Sequence, residues 1–177
     1  NTALYYSDLV ENASGLNTLI GEVKYLRANA YFLLVQTYGD VAITDYIKSA
    51  VLGFDRNAAK DVYEYIITDL QDALTKVGTG SYNGRVNKKA VQHLLAKVHL
   101  TRAYEDYAEA SDFEKAATYA DDAIAGQNLN VDFKDLWTPG EEIKSETIFS
   151  VQYSENSISQ NTSPTDVRNS QAYFFGP

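Results

Sequence analysis

The stretch GEVKYLRANAYFLLVQTYGDVAI, residues 21–43, is the longest run in this chain whose apolar residues keep helical spacing. Val23, Leu26, Ala30, Leu33 or Leu34 and Thr37 recur at steps of three and four, with Leu16, Leu19 and Ile20 leading in. Such steps place side chains on one face, so the spacing predicts a helix of about five turns that buries this face. Gly39 follows the last periodic residue and accepts the left-handed conformation that closes a helix at little steric cost. The helix is therefore expected to stop there, with Asp40 and Val41 opening an irregular connector over residues 40–55. On the other side, Asn12, Ser14 and Asn17 are candidate caps for its start.

Working outward, residues 2–12 read as the tail of a helix with Leu4, Tyr5 and Leu9 on its apolar side. A second long helix is expected over 58–77, where Val62, Ile66, Asp69 or Leu70, Ala73 and Val77 share a face and Asp55 or Asn57 can cap the start. Gly78, Gly80 and Gly84, with Ser81 and Asn83, then break the chain. A third helix begins near Lys88 behind the cap Asn87, burying Val91, Leu94 or Leu95, Val98, Thr101 and Tyr104. A short link, 108–111, leads to a helix over 113–125 with Asp112 as its cap and Gly126 at its end, and a link that short makes the pair antiparallel. Tyr107, Phe113, Ala116, Ala120 and Ala123 follow the spacing of a tetratricopeptide repeat, in which small residues let two helices approach and aromatics fill the gap. Two such pairs are fewer than a free-standing array needs, so further parts of the protein are expected to complete the core.

Beyond Gly126 the period is lost. Leu129, Val131, Phe133, Leu136 and Trp137 form an apolar cluster, Pro139-Gly140 signals a turn, and residues 146–153 alternate as a half-buried strand does. The expectation is one domain over 1–177: a helical part over 1–126 and an irregular part over 127–177 with its strand near 146–153. The fold class is mainly α, with antiparallel tetratricopeptide-like helix pairs forming an alpha-alpha superhelix.

Composition removes several function classes. With 24 acidic against 15 basic residues the net charge is −9, which repels phosphate backbones, so nucleic acid is not an expected partner. The longest apolar run, 30–35, is far below the roughly 20 residues that span a bilayer. Without cysteine there is neither a disulfide framework nor a thiolate metal site. The absence of methionine, even at the start, reads as a processed or trimmed segment.

Lys24-Tyr25-Leu26-Arg27-Ala28, then Ala30-Tyr31-Phe32 and Tyr38-Gly39-Asp40-Val41, resembles the signature helix of the SusD/RagB family of bacterial surface nutrient-binding lipoproteins. Asp61-Val62-Tyr63 with Ile66 and Asp69-Leu70, then Asn87-Lys88-Lys89-Ala90 with residues 94–100, and finally 146–153, resemble later blocks of that family in order. One departure is Ala42, where the family usually carries proline, whose main effect is to fix one dihedral. The resemblance implies helix pairs supporting an irregular ligand-binding half, a lipid anchor on the outer face of the outer membrane of Bacteroidetes, and delivery of glycans, or in some members peptides, to a TonB-dependent transporter. It implies a binding protein without a cofactor or metal, and an anchor that lies outside this chain. The alternative reading is a tetratricopeptide-like scaffold that grips a protein partner.

His93 and His99, six apart, stand on different sides of one helix, which argues against a shared metal and for two surface or rim histidines. Asp121-Asp122 and Glu141-Glu142 lack the fixed separation of a glycosidase's carboxylates, so no catalytic residue is assigned. Asn12-Ala13-Ser14 and Asn161-Thr162-Ser163 match a glycosylation acceptor, a pattern short enough to arise by chance. Arg27, amid apolar neighbours, is expected to form an ion pair with Asp40, Glu22 or another acidic residue, or to contact ligand. With Tyr31, Gly39 and Asp40 it forms the structural signature. Trp137 is either core or a sugar platform. Tyr173, Phe174 and Phe175 are candidate stacking rings, since sugars present apolar C–H faces, and Asn156, Gln160 and Asn161 are candidate partners for sugar hydroxyls. Two ring contacts of roughly 1.5–3 kcal/mol each, less ordering costs, correspond to a dissociation constant on the order of a millimolar.

Overall fold

A computed structural model describes residues 1–10, 14–44, 53–138 and 145–151 of the 177. Among the described residues the chain forms α1 (Thr2–Ser7), α2 (Leu16–Tyr38), α3 (Ala59–Lys76), α4 (Lys88–Arg102), α5 (Asp112–Ile124) and a 3-10 turn (Phe133–Trp137). The protein is mainly α, as the periodicity predicts.

Neighbouring helices run antiparallel. Gly21, early in α2, lies against Lys76 and Val77 at the end of α3, while Asp40 just past α2 accepts a hydrogen bond from Ala59 N–H at the start of α3 (2.8 Å). Lys89 at the start of α4 donates to Ala125 C=O at the end of α5 (2.6 Å), and Arg102 at the other end meets Asp112. The core lies between α2, α3 and α4: Tyr25, Ala28, Phe32 and Val35 meet Val62, Tyr63, Ile66 and Leu70, and Val91, Leu94, Leu95 and Val98 close it from the third side.

The buried face of α2 is not the expected one. Gly21, Tyr25, Ala28, Tyr31, Phe32 and Val35 are buried, whereas Leu19, Leu26, Leu33 and Leu34 face outward, Leu26 at 53% exposure. Both rows keep the same three-and-four spacing. Small residues decide between them: a Cβ on Gly21 would lie 2.9 Å from Lys76 Cβ, so only the row carrying Gly21 and Ala28 lets α3 come this close. The row of leucines leaves α2 apolar on a second side, the pattern of a helix with neighbours on two faces.

Ends and caps follow partly from local signals. Gly39 (φ 68°, ψ −120°) ends α2, its N–H donating to Val35 C=O at 2.9 Å, and Asn87 caps α4 by accepting from Ala90 N–H at 2.9 Å. At the start of α2, Gly15 (φ 80°) takes the cap position in place of Ser14 or Asn17, with no side-chain cap bond, and Asn12 lies outside the described residues. Asp112 is not a cap but the first residue of α5, turned inward to Arg102. Before it, α4 ends at Arg102 and the link runs over 103–111, so Tyr104 and Phe113 stand exposed against each other (5.3 Å between rings) instead of filling the helix gap, which Ala116 and Ala123 occupy. Residues 145–151 form no ladder among the described residues, in contrast to the strand expected over 146–153. A strand needs a partner edge, and here the segment is held by side chains instead: Phe149 sits edge-on between Tyr25 (5.2 Å) and Tyr82 (6.0 Å), and Tyr82 Oη donates to Ser150 C=O (2.6 Å). Residues 152 and 153 lie outside the described residues.

Candidate functional site

The signature residues converge on the base of the connector between α2 and α3. Arg27 Nε and one terminal nitrogen donate to the two oxygens of Asp69 (2.7 and 2.8 Å), and the other terminal nitrogen donates to Asn1 Oδ1 (2.8 Å). This partner on α3, 42 residues away, takes the place of Asp40 or Glu22. The guanidinium lies over the Tyr65 ring at 4.9 Å, and Tyr65 meets Tyr31 edge-on at 5.4 Å. Burial works to lower the Arg27 pKa, but the Asp69 carboxylate raises it further, so the group stays charged. Tyr31 Oη accepts from Thr44 N–H (3.1 Å), Asn57 Oδ1 accepts from Ile43 N–H (2.8 Å), and Asn57 N–H donates to Val41 C=O (2.9 Å). Together with the Asp40 bond to Ala59, these contacts clamp residues 41–44 beside residues 57–59. Tyr31, Gly39 and Asp40 thus act directly on the ends of the connector, and Arg27 reaches it through Asn1, whose Nδ2 donates to Thr44 C=O.

The second group of candidates follows α5 in the chain. Trp137 is 71% exposed and Phe133 75% exposed, their rings edge-to-face at 6.0 Å, so Trp137 stands outside the core of this chain. The 3-10 turn that carries both is tied to the later segment: Glu146 Oε1 accepts from Val131 N–H (2.7 Å) and Ser145 Oγ donates to Asn130 Oδ1 (3.0 Å). Two accessible rings on a tethered turn offer an apolar face that a sugar ring can cover. Tyr173, Phe174, Phe175, Asn156, Gln160 and Asn161 lie outside the described residues.

One polar cluster escaped the sequence reading. His99, expected at the surface or rim, is buried, and its Nδ1 lies 2.8 Å from Asp112 Oδ1. Arg102 donates to both Asp112 oxygens (3.0 and 2.6 Å), Glu109 N–H donates to Oδ2 (2.8 Å), and Tyr119 stacks on the His99 ring at 5.7 Å. Burial would raise the Asp112 carboxyl, but the bonds from Arg102, His99 and Glu109 N–H outweigh it and hold it at about 2. Burial pushes His99 below its ordinary value despite the pull of Asp112. The available sequence signal was weak: His99 and Arg102 are three apart on the α4 face that meets the first residue of α5. The cluster pins α4 to α5, and among the described residues no three His, Asp or Glu side chains gather as a metal site requires.

A SusD-like family model, whose description is starch-binding associating with outer membrane, matches residues 1–100. A SusD-like protein of Bacteroides ovatus is 29% identical over 141 residues, covering 76% of this chain and 26% of its own length. SusD-like protein P2 of Formosa agariphila is 27% identical over 164 residues, covering 86% of this chain and 31% of its own length. A crystal structure described as containing xylogluco-oligosaccharide superposes with a TM-score of 0.76 at 26% identity, over 86% of this chain and 32% of that one. The chain therefore spans about a quarter to a third of the length of these relatives.

Proposed function

Because the chain belongs to the SusD-like family, described as starch-binding and associated with the outer membrane, we propose that it is part of a non-catalytic glycan-binding protein at the bacterial cell surface that passes oligosaccharides to a TonB-dependent transporter. The observation that carries the reading in this chain is the exposed Phe133–Trp137 pair. Exposed rings next to hydrogen-bonding side chains are what a neutral sugar needs from a protein, and weak capture by such rings suits a protein that must release its cargo. Tyr173, Phe174 and Phe175 are proposed as further stacking rings, and Asn156, Gln160 and Asn161 as further partners for sugar hydroxyls. A lipid anchor outside this chain is part of the proposal and rests on family resemblance.

The test is calorimetry of the intact protein against xylogluco-oligosaccharides and starch oligosaccharides. Binding that falls at least about fivefold in Trp137→Ala, with helical circular dichroism unchanged, is the expected result, since one stacked ring contributes about 1–2 kcal/mol. Hydrolysis of the oligosaccharide, or full affinity in the variant, overturns the reading or its site. Peptide cargo is the outcome left if every glycan fails and a peptide pool binds.

A second reading has an observation of its own. Leu19, Leu26, Leu33 and Leu34 give α2 an outward apolar row, which suits a helical scaffold meeting a protein partner. Leu26→Glu would abolish capture of the transporter while leaving sugar binding intact if this reading holds.

A further inference from the structure

The loop after α3, the first turn of α4, the end of α5 and residues 145–148 enclose a hollow of about 380 Å³. That volume is at the small end of the range for ligand pockets. Hydroxyl and amide side chains line it, among them Thr79, Ser81, Gln127 and Thr147, together with the apolar Ile148. Lys89 is the one charged residue among its described lining residues.

Among the described residues no carboxylate neutralises the charge of Lys89 there. Its ammonium donates to Ala125 C=O (2.6 Å), and with the Gln127 amide turned to satisfy both its neighbours it also donates to that amide oxygen (3.1 Å), while Gln127 nitrogen donates to Ser145 C=O (3.1 Å). Both acceptors are neutral, and an ammonium has three protons, so among the described residues one proton and the unit of charge are left for a ligand. Glu146, between two lining residues, turns its Oε1 away to Val131 N–H. The Thr79 and Ser81 hydroxyls stand on the exposed rim of the same hollow. Walls of hydroxyl and amide groups match sugar hydroxyls, and a lone cation among them favours a ligand that brings one negative charge.

We propose that this hollow binds a single anionic sugar residue, a uronic acid or a sulfated hexose, with Lys89 facing its charged group and Thr79 and Ser81 its hydroxyls. The sugar framework rests on the glycan-binding reading above; the charge rests on the hollow alone.

The test is a nitrogen–proton correlation NMR titration of the full isotope-labelled chain with galacturonate, galactose 6-sulfate, galactose and inorganic sulfate. Amide shifts at residues 79–81, 89 and 127 with one or both anionic sugars, and not with galactose or inorganic sulfate, are expected, and the responding sugar identifies the charged group. Lys89→Gln, which keeps a donor for Ala125, is expected to weaken the response about tenfold or more. Ser81→Ala with Thr79→Val, which leaves the Lys89 contacts in place, is expected to weaken it severalfold. Equal shifts with galactose, equal shifts with inorganic sulfate, no shifts with any probe, or an unchanged response in Lys89→Gln each overturn the proposal. The parent reading is scored separately, through Trp137 fluorescence with neutral oligosaccharides: silence there with shifts at residues 79–81 rejects that reading and keeps this one.

Discussion

Asp40 caps a helix that begins 19 residues after it: its Oδ1 accepts the Ala59 N–H at 2.8 Å, doing for α3 what Asp55 or Asn57 would do from within the local sequence. Asn57 is occupied instead with Ile43 N–H, so the two polar residues trade roles across the connector. Replacing Asp40 by alanine should therefore destabilise the chain by about 0.5–2 kcal/mol, while asparagine should retain most of the stability. Urea midpoints of the two variants check this, and an alanine variant as stable as the parent would show that the cap carries nothing.

Gly21 sits inside a helix, where alanine normally gains about 0.8–1 kcal/mol over glycine. Here the new methyl would meet Lys76 Cβ at 2.9 Å, Val77 Cγ1 at 3.0 Å and Ala73 C=O at 3.3 Å. Overpacking of that kind costs about 1–3 kcal/mol, which exceeds the helical gain. Gly21→Ala should lower the thermal midpoint, and a raised midpoint would mean that α2 and α3 separate easily.

Arg27 and Asp69 form a bidentate pair whose side chains are 16% and 5% exposed. Removing one partner leaves the other poorly solvated, so Arg27→Met is expected to cost about 3–5 kcal/mol. Arg27→Met with Asp69→Leu should recover much of that loss, because no uncompensated charge remains. A double-mutant cycle on denaturant midpoints decides it. Equal losses in single and double variants would locate the contribution in the Tyr65 and Asn1 contacts of Arg27 instead.

His99 and Asp112 make the chain acid-sensitive in two steps. Burial lowers the His99 pKa in the folded state, so its neutral form supports folding fully above about pH 6.5, and that support declines as the pH falls below this value. The Asp112 carboxylate, held at about 2 against an ordinary 3.8, adds stability above about pH 3.8 that is lost as the pH falls towards 2. Urea midpoints measured from pH 8 to pH 3 should fall in both windows. His99→Gln should reduce the upper decline, the remainder coming from His93, which burial and Lys97 also hold below its ordinary value. A parent profile that is level from pH 7 to pH 4 would contradict the buried neutral histidine.

Helix existence and helix ends were legible where one residue carries the signal, as Gly39, Asn87 and Gly126 do. The buried face of α2 was not, because its two rows share one period and leucine outranks tyrosine, glycine and alanine in apolarity. Closeness of approach at Gly21 and Ala28 chose the row, and closeness is a property of two helices. Non-local pairings were illegible for the same reason: Arg27 to Asp69, Asp40 to Ala59 and His99 to Asp112 each join residues that only the folded chain brings together. The alternation at 146–151 misled because alternation records side-chain polarity and not the presence of a partner edge; here Phe149 alone docks between Tyr25 and Tyr82 and no ladder forms among the described residues. At the candidate site, the apolar cluster ending in Trp137 was legible, while the exposure of Phe133 and Trp137 depended on packing that sequence alone does not specify.

Two buried rings, Tyr25 on α2 and Tyr63 on α3, also give this chain an optical gauge of its own opening. Of the 14 tyrosines, Tyr25 and Tyr63 are held as neutral phenols up to about pH 12, chiefly by burial, with Tyr82 beside the first and Tyr107 and Glu105 beside the second adding to the effect. A phenol in ordinary surroundings ionises near 10. Between those two values base favours the opened chain, since only there can these rings give up their protons freely. The near-ultraviolet absorbance of phenolate, followed in time after a jump into alkali, therefore reads the rate at which the core around these two rings opens, with no label attached.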